Sequence, residues 1–153
     1  MTSEGSNSKA ALVGELNGLL ADHFALFIKT KNFHWHVAGP RFRDLHLLFD
    51  EQAIEIRDDI DVIGERVRKL GEKTLTSVGS VAQHTAVNDQ DDVDLGPDQM
   101  VKELRDDNAA LVKRLKGLKP LAEQAGDNAT DGLLDEWTDK AEERVWFLSQ
   151  TLK

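Results

Sequence analysis

The hydrophobic period of this chain constrains its fold more than any other feature. Four long segments carry apolar residues at the i, i+3, i+4 spacing that gives a helix one greasy face. Over about residues 8–37 the stripe is Leu12, Leu16, Leu19, Leu20, Phe24, Phe27 and Ile28. Over about residues 41–70 it is Phe49, Ala53, Ile56, Ile60, Ile63, Val67 and Leu70, close to heptad spacing. Over about residues 97–124 it is Val101, Leu104, Leu111, Val112, Leu115 and Leu118, interrupted by Asn108. Over about residues 131–152 it is Leu134, Trp137, Ala141, Leu148 and Leu152. Between the second and third segments, residues 72–95 hold Thr, Ser, Val, Gly and Asp with no sustained period.

Punctuation agrees with that division. Gly39-Pro40 and Gly96-Pro97 read as helix starts, because proline is tolerated in a first turn where its missing N–H has no partner to lose. Gly71 stands where a C-terminal stop belongs. Pro120 falls inside the third segment and is expected to kink it or end it early. The expected fold is all-α: a four-helix bundle of ferritin-like connectivity, with one long crossover carrying a short helix near residues 80–84 between helices 2 and 3. Residues 1–8 are expected as a flexible tail and residues 9–153 as one domain.

Composition removes several function classes. Without a cysteine there is no disulfide scaffold, thiolate metal site or thiol nucleophile. No run of about 18 apolar residues suggests a membrane span, and the polar start lacks a secretory h-region, so a cytoplasmic protein is expected. With 28 Asp+Glu against 19 Lys+Arg, the formal charge of -9 opposes binding to polyphosphate by bulk charge.

The chemistry concentrates on the second segment. Each helical residue turns about 100° and rises about 1.5 Å, so His46, Asp50, Asp61 and Glu65 share one side of that helix, next to the apolar stripe. Imidazole aligned with carboxylates suits iron or zinc. His46 and Asp61 stand about 22 Å apart along a straight helix, whereas ligands of one ion lie only about 2.0–2.2 Å from it. The stripe therefore splits into half-sites, His46/Asp50 and Asp61/Glu65. An antiparallel second copy, related by a two-fold axis near residues 55–56, brings one chain's first half-site beside the other's second, twice per dimer. His34 is placed to join from the preceding helix. A site inside a single bundle uses Glu-x-x-His twice, and this chain contains no Glu-x-x-His.

These residues carry a resemblance. His34-Trp35, then His46 twelve residues on, Asp50, and Asp61-x-x-x-Glu65 resemble the pattern of the Dps family, DNA-binding proteins from starved cells or mini-ferritins. Lys29-Thr30-Lys31-Asn32-Phe33-His34-Trp35, Asp61-Val62-Ile63-Gly64-Glu65-Arg66 and Val145-Trp146-Phe147-Leu148 support it. The resemblance implies a homo-oligomer, a hollow dodecamer, with ferroxidase sites at two-fold interfaces. It implies His34, His46 and Asp50 from one subunit and Asp61 and Glu65 from its mate. The implied activity is oxidation of Fe(II), preferably by hydrogen peroxide, and storage of ferric oxide, with zinc or another divalent metal able to replace iron in a crystal. Trp35, beside His34, is expected to shield the site.

Other residues have plainer readings. Asp127, Asp131 and Asp135 form an acidic stripe at the start of the fourth segment; the resemblance implies a three-fold pore admitting Fe(II), and complementing a helix dipole explains them equally well. His36 reads as an exposed turn residue, His23 and His84 as structural or solvent-exposed, and Trp137 and Trp146 as packing residues. Only Lys9 stands in the first ten residues, without the Lys/Arg-rich tail common in DNA-binding members, so weak or absent DNA binding is expected. The rival readings are a DNA-binding nucleoid protein with a secondary metal site and a purely structural helical oligomer.

Overall fold

The computed structural model describes residues 3–153. The described residues form α1 (Ser3–His36), α2 (Phe42–Lys69), α3 (Val78–His84), α4 (Pro97–Gln124) and α5 (Asn128–Thr151), with no strand among them. Helix α1 lies along α2 and α4, α5 pairs with α4, and α2 meets α5 on the remaining side. This is the ferritin-like bundle with its long crossover, and α3 is the short helix expected within it. Helix α1 begins at Ser3, within the span expected as a tail, while Met1 and Thr2 lie outside the described residues.

The apolar stripes meet in one core. Leu12, Leu16, Leu19 and Phe33 of α1 are fully buried with Phe49, Ile56 and Ile63 of α2, Leu104 and Leu115 of α4, and Leu134 and Leu148 of α5. Ile28 and Trp146 depart from the expectation, each 58% exposed. Ile28 sits at the edge of its stripe and faces α3, where it lines an open apolar groove with Phe24 and Val78. Trp146 lies on the side of α5 opposite the buried Arg144 and Leu148 and packs edge-on against its neighbour Phe147.

Asn108 interrupts the α4 stripe for a reason the stripe does not reveal. Arg144 of α5 is 3% exposed and donates from Nε to Asn108 Oδ1 at 2.7 Å, while Nη1 pairs with Glu55 of α2. A buried guanidinium needs acceptors, and Asn108 supplies one where leucine would not. Pro120 does not end α4 early: the helix continues to Gln124. Pro120 and Lys116 lie on the exposed face, so water reaches the Lys116 carbonyl that proline leaves without an N–H partner. Pro97 does open α4, but Pro40 sits in the turn before α2, whose N-cap is Arg41. Gly71 closes α2 with φ +87°, a conformation that costs a side-chain-bearing residue energy.

The crossover is tied to α1. Asp22 accepts hydrogen bonds from the Thr85 hydroxyl at 2.8 Å and the Ala86 amide at 2.7 Å, and Lys29 and Asn32 donate to the carbonyls of Asn88 and Gln90. The anchors come from α1, which is why the crossover itself shows no period. Residues 5–36 of α1 are long and apolar enough to cross a membrane, but half of their most apolar stretch is buried inside the bundle. Asp22, His23 and Lys29 are buried there too, as befits a core helix.

Candidate metal centre

The end of α1 and the start of α2 pack side by side and make a reciprocal pair of histidines. His34 Nδ1 lies 2.7 Å from the His46 carbonyl, and His46 Nδ1 lies 2.7 Å from the His34 carbonyl. A carbonyl only accepts, so each Nδ1 carries the proton and donates. In the neutral ring Nε2 is then the nitrogen without a proton, and its lone pair can bind a metal. The rings stack with centroids 3.9 Å apart and planes 13° from parallel, and Phe42 stacks on His46 from its other side at 5.0 Å. Two imidazoles are thus fixed in tautomer and orientation before any ion arrives.

Asp50 completes this end of the site. Its Oδ1 lies 3.8 Å from His34 Nε2, and Lys31 donates to the same oxygen at 2.5 Å. The Lys31 hydrogen bond holds the Asp50 carboxyl below the ordinary carboxylate range. His34, His46 and Asp50 are all half-buried. Two nitrogen donors and one carboxylate suit a metal of intermediate hardness, iron or zinc.

Asp61 and Glu65 present the opposite picture. Both are exposed, and neither side chain has a hydrogen-bond or ion-pair partner among the described residues. They stand further along α2, out of reach of the histidines of their own chain. Among the described residues no group of three or more His, Asp or Glu is arranged to hold a metal ion. The outward face of α2 between the half-sites carries Leu47 and Ile54, apolar side chains left in water at 43% and 37% exposure.

The other candidates lie elsewhere. Trp35 is 66% exposed beside His34. Asp127 caps α5, with Oδ1 accepting from the Thr130 amide at 3.1 Å and Oδ2 from the Thr130 hydroxyl, and Arg66 lies 3.8 Å away. Lys119 pairs with Asp131 and Asp135, each at 2.7 Å. His23 is buried, with Nδ1 bonded to the Leu19 carbonyl at 2.9 Å; His36 and His84 are exposed. Sequence reasoning passed over two parts of the site. Lys31 meets Asp50 only through the packing of α1 on α2, although its position one turn before His34 was a usable signal. The carbonyl partners of the histidines have no side-chain signature at all.

Comparison with known proteins shows what the chain and its fold are similar to. The sequence profile described as ferritin-like domain matches residues 13–153. The DNA protection during starvation protein of Brevibacillus brevis is 31% identical over 138 residues, covering 90% of this chain and 92% of that protein. The structure of Dps from Thermosynechococcus elongatus superposes with a TM-score of 0.95 at 26% identity, covering 99% of this chain and 96% of that one. A Dps protein from Vibrio cholerae, described as a member of a broad superfamily of ferritin-like diiron-carboxylate proteins, gives 0.91 at 25% identity, covering 96% and 92%.

Proposed function

The chain belongs to the ferritin-like family, among its Dps members, and from that footing we propose that it is a ferroxidase and iron-storage protein whose iron sites are shared between two copies. The observation that carries this reading is the asymmetry along α2. One end offers two oriented imidazoles and a carboxylate, and the other offers two exposed carboxylates without partners. A two-fold axis near residues 55–56 pairs position 46 with 65 and 50 with 61, so each end faces its complement. The same contact covers Leu47 and Ile54, whose exposure is otherwise unfavourable.

His34 and His46 bind through Nε2, Asp50 binds directly or through water, and Asp61 and Glu65 come from the second copy, with Glu65 placed to bridge a second iron. Carboxylates are hard anions and stabilise Fe(III) over Fe(II), which favours oxidation. Hydrogen peroxide is the expected oxidant. Two Fe(II) ions each give one electron, the O–O bond breaks, and two hydroxides form without a hydroxyl radical. Trp35 shields the imidazoles from one side. Ferric oxide collects inside the closed oligomer, a dodecamer in this reading, and the protein acts in the cytoplasm to limit oxidative damage. An iron path along Asp127, Asp131 and Asp135 has to displace the Lys119 ion pairs first. With -9 per chain, retention of DNA at physiological salt is expected to be weak or absent.

Mixing separates a shared site from a single-chain one. In a mixed dimer of His46→Ala and Asp61→Ala chains, one of two sites keeps all its ligands if they come from both copies. Ferrous oxidation, followed optically with peroxide, should return in the mixture to about half the native rate per mixed dimer. No recovery in verified mixed dimers contradicts the arrangement.

A further inference from the structure

A second polar cluster lies inside the bundle, away from the histidine pair. A metal site built within one bundle takes a Glu from each of two helices and a Glu-x-x-His from each of the other two, all pointing inward. This chain lacks that motif but keeps potential donors in its interior: His23 of α1, Gln52, Glu55 and Asp59 of α2, and Asn108 of α4. Two cations of α5 stand among them. Arg144 donates from Nε to Asn108 Oδ1 at 2.7 Å and from Nη1 to Glu55, and Lys140, one turn earlier, donates to Asp59 Oδ1 at 3.2 Å. The Arg144 charge also acts on His23, adding to the burial that keeps this imidazole neutral. His23 Nδ1 donates to the Leu19 carbonyl, so Nε2 carries the lone pair. The acceptors exceed the donors here: the buried Asp59 Oδ2 and Gln52 Oε1 have no hydrogen-bond partner among the described residues. An open cleft of about 100 Å3 between α2 and α5, lined by Gln52, Glu55, Glu143 and Arg144, lies against the guanidinium.

We infer that Arg144 takes the place of a metal ion in the bundle interior, so that metal is confined to the face of α2 that a second copy covers. The confinement rests on the ferroxidase reading above; the filling of the interior by a fixed cation does not. A guanidinium stays charged at any ordinary pH, so Arg144 never yields its position by losing a proton. A buried carboxylate that loses its cation is costly to leave unpaired. Without Arg144, Glu55 therefore gains most from an ion that restores the lost charge. The donors left around that ion are an imidazole nitrogen and hard oxygens, a set that suits a divalent metal of intermediate hardness. Arg144 is in this sense a specificity residue: it touches no iron and decides where iron does not go.

The test counts the Co(II) bound by the assembled protein, by calorimetry and by the visible absorption of the bound ion. Arg144→Ala should bind about one more Co(II) per chain than the native protein. Adding Glu55→Gln should remove the extra ion. Arg144→Lys, which keeps a fixed charge at the position, should bind only as much as the native protein. If Arg144→Ala does not fold alone, Co(II) should restore its helical circular-dichroism signal. A folded Arg144→Ala with the native Co(II) count overturns the inference. So does an extra ion that survives Glu55→Gln or appears in Arg144→Lys, or an unfolded Arg144→Ala that Co(II) does not rescue. Failure of the ferroxidase reading looks different: a Co(II) count of the otherwise native protein that Asp61→Ala does not lower.

Discussion

The two ends of α2 carry similar chemistry in opposite states. Around His46 and Asp50 every donor is held: each imidazole by a carbonyl, the carboxylate by Lys31, the stack by Phe42. Around Asp61 and Glu65 nothing is held, and both carboxylates stand in water. The first end resembles a half-site whose orientation was settled when the chain folded. The second resembles a surface whose order comes from association. Placing histidines on the folded half is physically sensible, because an imidazole must offer the correct nitrogen, whereas a carboxylate accepts from either oxygen.

Breaking each end in turn tests that contrast. The largest effect is expected from Asp61→Ala: ferrous oxidation falls by about 100-fold or more, as expected when a ligand is lost from a metal site, while thermal unfolding of the isolated chain stays within about 0.5 kcal/mol of native. A stability loss comparable to a core mutation would show that Asp61 is structural. His46→Ala should lose as much activity and also cost about 1–2 kcal/mol, because a hydrogen bond and a ring stack go with it. Denaturant melts of the two variants side by side distinguish the ends, and indistinguishable melts would erase the contrast.

His23 supplies a control that no metal touches. Burial lowers its pKa from 6.5 to about 4. The unfolded chain then binds a proton that the folded chain refuses. The stability linked to His23 is fully present above about pH 6.5 and is lost as pH falls toward 4, by about 3 kcal/mol in all. His23→Gln should flatten the stability slope between pH 6.5 and 4. A slope as steep as the native one would assign the acid sensitivity elsewhere. Activity comparisons between the ends of α2 belong above pH 6.5, where this contribution is constant. The smallest effect is expected from Asp58→Ala on the same exposed side of α2: among the described residues Asp58 pairs only with neighbouring Arg57, so rate should change by less than about 2-fold and stability by less than about 0.5 kcal/mol. A large loss there would mean that any charge change on α2 disturbs the protein.

Periodicity made the fold legible. The stripe from Phe49 to Val67 is the buried face of α2, and Gly71 ends that helix. Pro120 did not end its helix because a proline's cost depends on whether water reaches the carbonyl it abandons, and a linear pattern does not carry exposure directly. Asn108 looked like a flaw until Arg144, 36 residues away, took it as a partner. The candidate donors came from spacing, since helix geometry alone places His46, Asp50, Asp61 and Glu65 on one side. Their preparation was not. The carbonyl of residue 46 that orients His34, and the ammonium of Lys31 on Asp50, are products of two helices packing together.

The most direct measurement is an anomalous diffraction map at the iron edge from crystals of the assembled, iron-loaded protein. The account predicts a peak about 2.0–2.2 Å from His34 and His46 Nε2 of one copy and from Asp61 and Glu65 carboxylate oxygens of another. A peak ringed by ligands from a single copy, or one confined to the bundle interior, would contradict it.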